Sequence, residues 1–140
     1  MRRTSGRLRG ASIGPFLLLL ACTSGPPGCP PGDGAPSFEV TATAYNSLPD
    51  QTRGDPSLAA WGDRLEPGMK AIAVSRDLIP LGLTHETRVC VEGLPGEYRV
   101  LDKMAKRWQR KIDIYMGVDV QAARSWGRRT VRIWRLPPPT

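Results

Sequence analysis

The run Lys111, Ile112, Asp113, Ile114, Tyr115, Met116 alternates with a period of two and stops at Gly117. Only an extended strand sorts such a run onto two faces, with Ile112, Ile114 and Met116 on one and Lys111, Asp113 and Tyr115 on the other. Aspartate is depleted in strands, because its carboxylate competes for backbone hydrogen bonds and packs poorly. One placed between two isoleucines has two readings. In the first it is a carboxyl group held rigidly at the edge of an apolar cleft, where desolvation raises its pKa and keeps it available as an acid. In the second it faces solvent and pairs with Lys111 or Arg110.

The rest of the chain is cut into pieces of similar length. Residues 38–45 alternate with Phe38, Val40, Ala42 and Ala44 inward. Ala71, Ile72, Ala73 and Val74 form a short buried strand, residues 87–91 another, and residues 97–102 follow a turn at Gly93 to Gly96. Residues 128–135 are the last strand, with Thr130, Arg132 and Trp134 opposite Val131 and Ile133. Asp119 caps one short helix over residues 120–126, and Gly127 ends it. Residues 46–57 carry Pro49, Gly54 and Pro56 and read as a long loop of the kind that lines binding sites. Leu58 to Gly62 is a short apolar patch, and Lys103 to Arg110 is a basic loop around Trp108. This count predicts a mainly β chain of six short strands and one short helix. A small closed barrel is the arrangement that leaves no exposed edge.

The 140 residues suffice for a single core. Arg2, Arg3, Arg7 and Arg9 precede an apolar run over residues 11–21 that is too short for a stable membrane span, the pattern of an export signal. It ends Leu19, Leu20, Ala21, Cys22, which fits a lipoprotein cleavage box with Cys22 as the acylated first residue. An ordinary secretory signal that happens to contain a cysteine is the other reading. Acyl chains on Cys22 would anchor the protein to a membrane. Thr23 carries no inner-membrane retention charge, so the expected location is the cell envelope, on the outer membrane facing the periplasm where the organism has one. The formal charge is +7, from 20 basic and 13 acidic residues. Removing the four leader arginines leaves 16 − 13 = +3, a balance that suits a polymer with anionic groups. No basic-aromatic nucleic-acid motif accompanies it, so nucleic acid is not an expected partner.

Residues 22–37, rich in proline and glycine, form a tether, and residues 137–140 a tail. Cys29 and Cys90 either pair in an oxidising compartment or stay free, and spacing alone leaves both open. With one histidine and no Cys-x-x-Cys, neither a zinc site nor any other cofactor is expected.

Several blocks in order carry a family likeness. They are Thr41-Ala42-Thr43-Ala44-Tyr45, then Ala71-Ile72-Ala73-Val74 with Ile79-Pro80-Leu81-Gly82. Asp102 and Ile112-Asp113-Ile114-Tyr115 follow, and then residues 123–129. Together these resemble the bacterial three-aspartate (3D) domain, related to the catalytic core of the membrane-bound lytic transglycosylase A family. The resemblance covers residues 40–136 and implies a six-stranded double-psi β-barrel over residues 38–136. Asp102 and Asp113 fall where that family has its second and third aspartates. Ser75 stands at the first, with Asp77 two residues on, and Lys103-Met104-Ala105 replaces the usual threonine and glycines.

The chemistry so implied is cleavage of the β-1,4 bond between N-acetylmuramic acid and N-acetylglucosamine in peptidoglycan. One carboxylic acid protonates the leaving oxygen. As a base it then takes the proton of the sugar's own 6-hydroxyl, which closes a 1,6-anhydro ring. No second carboxylate is needed to activate water. Asp113 is the candidate acid, with Asp102 as an orienting or substrate-binding carboxylate. Tyr45 and Trp108 are candidate sugar platforms, as is Trp61, and Thr43, Ser75 and Asp77 are candidate polar contacts to substrate. Arg128 and Arg129 have two readings, a hold on the lactyl or peptide carboxylates of the substrate or, ahead of it, a solvated strand start, and His85 reads as a solvated loop residue. A peptidoglycan-binding lipoprotein with the same barrel and no catalysis is the alternative, with an envelope adaptor binding protein through the basic loop as a third.

Overall fold

The computed structural model describes residues 10, 14, 29–31, 34–49 and 54–140. The proposed lipidation site, Cys22, lies outside them. In chain order the elements are β1 (Ser37–Tyr45), β2 (Ala71–Val74), a 3-10 turn (Arg76–Leu78), β3 (Arg88–Val91), β4 (Glu97–Lys103), β5 (Lys111–Tyr115), α1 (Val120–Trp126) and β6 (Arg129–Arg135). The strands close into a mixed barrel in the order β1-β5-β2-β4-β3-β6. No helix among the described residues is long and apolar enough to cross a membrane.

Two pairs are parallel, β1 with β5 and β2 with β4. The other neighbours are antiparallel: β1 with β6, β2 with β5, β3 with β4 and β3 with β6. Exchanging β1, β2, β3 for β4, β5, β6 returns the same pairings, so the barrel has an internal two-fold relating its halves. The β2–β5 and β3–β6 pairs map onto themselves.

The alternation read in the sequence is the inside-outside pattern of this barrel. Val40, Ala42, Ile72, Val74, Val89, Val91, Tyr98, Val100, Ile112, Ile114, Val131 and Ile133 fill the interior. Leu78, Leu83 and Trp126 plug it from the connections and from α1. The helix spans the residues expected of it. The Asp119 carboxylate accepts from Ala122 N at 2.9 Å, and Gly127 N donates to Ala123 O at 3.2 Å.

A second apolar cluster lies outside the barrel, where Ala59 and Leu65 of the β1–β2 connection cover Ala71, Leu101 and Tyr115. The apolar patch at residues 58–62 is thus a cover over one outer face. Ala59 N donates to Asp63 O and Leu65 N to Ser57 O, which pins it as a tight turn. Gly117 fixes the far side of that cover. Its φ is +56°, and a Cβ built there would stand 3.0 Å from Pro67 Cα. Gly117→Ala is expected to cost roughly 1–3 kcal/mol, read by urea denaturation, because both the backbone and Pro67 would have to shift.

Cys29 and Cys90 form a disulfide, so the first of the two readings open in the sequence holds. The bond ties the segment before β1 to the middle of β3, and Pro36 O accepts from Arg135 N at 2.9 Å on the same side.

Candidate functional site

The outward residues of β1, β5, β2 and β4 make one continuous face. Register places Thr43 beside Asp113, Asp113 beside Ala73, and Ala73 beside Asp102. The two aspartates therefore flank an alanine, with their Cα atoms about 10 Å apart, twice the strand spacing. The trough between the two carboxyl-bearing strands is floored by the Ala73 methyl, and Ala73 is 5% exposed.

Asp102 reaches this face because the β2–β4 ladder shifts register between Ile72 and Ala73. Tyr98 and Val100 point into the core, so unbroken alternation would send residue 102 inward too. The bulge inserts Leu101, and Asp102 turns outward with it. Its Oδ1 then accepts from Ala60 N at 2.7 Å and from its neighbour Lys103 N at 2.9 Å. The first of these bonds docks the β1–β2 cover onto the trough.

Asp113 is half-buried, and Thr43 Oγ1 donates to its Oδ1 at 2.9 Å. Burial pushes its pKa above the ordinary carboxylate value, and the charge of Asp102 adds to the rise. The Thr43 hydrogen bond and the Lys111 charge oppose the shift without cancelling it. Ion pairing with Lys111 or Arg110, the competing expectation for Asp113, is not found in the structure. Thr43→Val removes a donor that favours the ionised form. The Asp113 pKa is expected to rise further, read by NMR titration of its side-chain carboxyl carbon.

Tyr45 stacks at a tilt on Tyr115, with centroids 5.5 Å apart. Its hydroxyl is buried without a hydrogen-bond partner among the described residues. Burial first, then the charges of Asp102 and Asp113, raise its pKa well above the usual phenol value. Its ring is part of the outer packing and not an open sugar platform.

The other expected contacts lie elsewhere. Ser75 is fully buried, accepting from Lys111 N at 2.9 Å through Oγ and donating its own N–H to Lys111 O at 2.8 Å. It clamps the start of β5 from below and offers substrate nothing. Asp77 is exposed at the 3-10 turn, where Oδ2 accepts from Arg110 N at 2.9 Å. Burial raises its pKa, but the Ser75 and Arg110 hydrogen bonds and the Arg110 charge together bring it below the ordinary value. That bond holds Arg110 at φ +47° as the chain enters β5. Trp108 has Lys111 Nζ 3.7 Å and the Arg107 guanidinium 5.0 Å from its ring centroid. Cations hold its ring where a sugar platform was expected. Trp61 is similarly engaged, stacked on His85 at 5.1 Å with Lys103 Nζ 5.4 Å from its centroid. His85, expected to be merely solvated, bonds to Asp63 through Nε2.

No family model matches the chain, and no curated protein matches it. Among solved structures it is similar to an expansin of Clavibacter michiganensis in its apo form, with 16% identity and a TM-score of 0.50. A mutant form of that expansin in complex with cellohexaose gives 16% identity and a TM-score of 0.51. Each match covers 75% of this chain and 52% of the expansin. The likeness is one of fold. The chain spans about half the length of these expansins, which share the double-psi barrel with 3D domains. The barrel expected from the sequence therefore stands, while the narrower 3D assignment finds no matching family model.

Of the residues singled out in the sequence, the structure gathers Thr43, Asp113, Asp102 and Tyr45 on one face. It separates Ser75, Asp77 and Trp108 from them as supports. One participant went unread, and another was read only as a partner for Asp113 and not as a buried residue. Ala73 had a signal, since alanines alternating with Ile72 and Val74 mark an outer face without bulk. Lys111 had none, because its burial depends on Trp108 folding over it. A possible metal-ligand trio also emerges, with ligand atoms of Asp63, His85 and Glu86 within 4.8 Å of one another. Asp63 is already bonded to His85, and Glu86 to Arg99 at 2.8 Å.

Proposed function

We propose that the barrel is a peptidoglycan lytic transglycosylase, working with Asp113 as its single acid and base. The observation that carries this is a half-buried carboxyl, raised in pKa and held by Thr43 on the outer face of the barrel. Protonated Asp113 donates to the oxygen between C1 of N-acetylmuramic acid and the next sugar. The C1–O bond breaks, and the departing sugar keeps the proton as a hydroxyl. The carboxylate left on Asp113 takes the proton of the 6-hydroxyl as O6 bonds to C1. The enzyme regains its acid form and no water is consumed. Asp102, fixed by two backbone N–H groups, sits one strand beyond Ala73 as an orienting carboxylate. An exported, lipid-anchored location through Cys22 belongs to this reading, and the Cys29–Cys90 disulfide supports it, since such bonds persist in oxidising compartments.

A second reading is binding without cleavage. It is favoured by the fold neighbour whose structure holds cellohexaose, together with the engagement of Asp102 by the cover. Purified protein mixed with peptidoglycan sacculi separates the two. Soluble 1,6-anhydro muropeptides, identified by mass, select the enzyme. Co-sedimentation with no soluble product selects the binder, and neither result removes both.

A further inference from the structure

The connection from β4 to β5 links the strands that bear the two aspartates. With its flanking residues it supplies Lys103, Lys106, Arg107, Arg110 and Lys111, and no acidic residue lies between them. Arg76 joins this rim by donating Nε to Met104 O at 3.1 Å. The ion pairs among the described residues all lie elsewhere: Arg64 with Asp55, His85 with Asp63, Arg88 with Glu97 and Arg99 with Glu86. One whole edge of the trough is thus predominantly positive, with Asp77, which accepts from Arg110 N at 2.9 Å, the acidic side chain set against it.

Lys111 is its most constrained member. The residue as a whole is 8% exposed, so its stem is buried, while its ammonium is not among the buried unpartnered polar atoms and makes no ion pair among the described residues. It rests on the Trp108 ring at 3.7 Å, while its backbone is clamped by Ser75. Taking an ammonium out of water is costly unless a counter-charge or hydrogen-bond acceptors replace the lost hydration. A cation–π contact offsets part of that cost and fixes the direction of the ammonium. Asp113 lies two residues on, on the same outward face, but in the acid form required by the proposed reaction it brings no charge. A ligand could supply the missing anion.

We propose that Lys111, stacked on Trp108 and backed by Lys106, Arg107 and Arg110, binds a carboxylate carried by the sugar next to the bond that Asp113 protonates. The site then selects acid-substituted glycans over neutral ones. This rests on the glycan-cleaving reading and adds the charge of the substrate. Two sources offer the same chemistry: the lactyl carboxylate of a peptide-free strand, or a carboxylate of the attached peptide.

The test is equilibrium binding to the full chain carrying Asp113→Asn, which prevents turnover. The ligands are a neutral chitooligosaccharide, peptide-free glycan strands, the same strands with carboxyls capped as amides, and peptide-bearing strands. At least one free-carboxylate strand is expected to bind about ten-fold or more tighter than its neutral counterparts, with the advantage shrinking as salt rises. Preference for the peptide-free strand identifies the lactyl carboxylate, and preference for the peptide-bearing strand alone identifies the peptide. Lys111→Met, which keeps an apolar stem on Trp108, should abolish the advantage. Lys106→Gln with Arg107→Gln, on the exposed loop, should weaken it without risk to the fold. Equal binding of charged and neutral strands, or a preference unchanged in these variants, overturns the proposal and leaves the glycan reading standing. Absence of binding to every strand overturns both.

Discussion

Asp113→Asn is expected to suppress release of anhydro products from sacculi by about 10²–10⁴-fold while leaving sacculus binding in place. Asparagine keeps the size of the side chain and can still accept from Thr43, which donates to Asp113 Oδ1 at 2.9 Å. What it lacks is a transferable proton. The pH dependence of the wild type follows from the same residue. Burial, reinforced by Asp102, raises its pKa above the ordinary carboxylate value. The acid form therefore persists to higher pH than in an exposed aspartate, and the rate falls as pH rises through the folded-state pKa. Stability carries the same sign. A carboxyl whose folded pKa exceeds its unfolded value contributes fully below the unfolded pKa, and that contribution is lost as pH rises through the folded one. Asp113→Asn should thus melt at a higher temperature than wild type at pH 7, and the gap should close below about pH 4. An active variant, or a gap that widens in acid, would remove Asp113 from its role.

Loss of the Cys29–Cys90 disulfide is the second large effect expected. The two residues are 61 apart in sequence. Releasing a loop of that length returns chain entropy to the unfolded state worth about 4 kcal/mol, close to a thousand-fold in the folding equilibrium. Urea denaturation with and without reductant, or of Cys29→Ser with Cys90→Ser, measures it. The native fold should survive in the reduced protein at low denaturant, because the barrel core is built from strands that the bond does not join. A shift of only a few tenths of a kcal/mol would mean that the segment before β1 contributes nothing to the folded state.

The strands were legible because a barrel imposes a period of two on every one of them. Ile112 and Ile114 pointed inward and Asp113 outward on that basis alone. The helix was legible because Asp119 and Gly127 mark its ends chemically. The orientation of Asp102 was not, since nothing in Tyr98-Arg99-Val100-Leu101 announces that the ladder slips at Ile72 and Ala73. Ser75, Asp77 and Trp108 misled for a related reason. Each is polar or amphipathic beside the trough, but each is consumed in holding β5 or its loop, and a side chain's hydrogen-bond partner from a distant segment leaves no local trace. The disulfide is the converse case. Residue types allowed it, and only the approach of the segment before β1 to β3 decided it.

The two-fold of the barrel has a corollary for the trough. It carries Asp113 onto Ala73 and Thr43 onto Asp102, so the four residues in the row are two versions of one pair. One version holds a hydroxyl beside an acid; the other holds an acid beside a methyl. Equivalent scaffolds thus carry unequal side chains, and the central position that holds a carboxyl in one half holds only a methyl in the other.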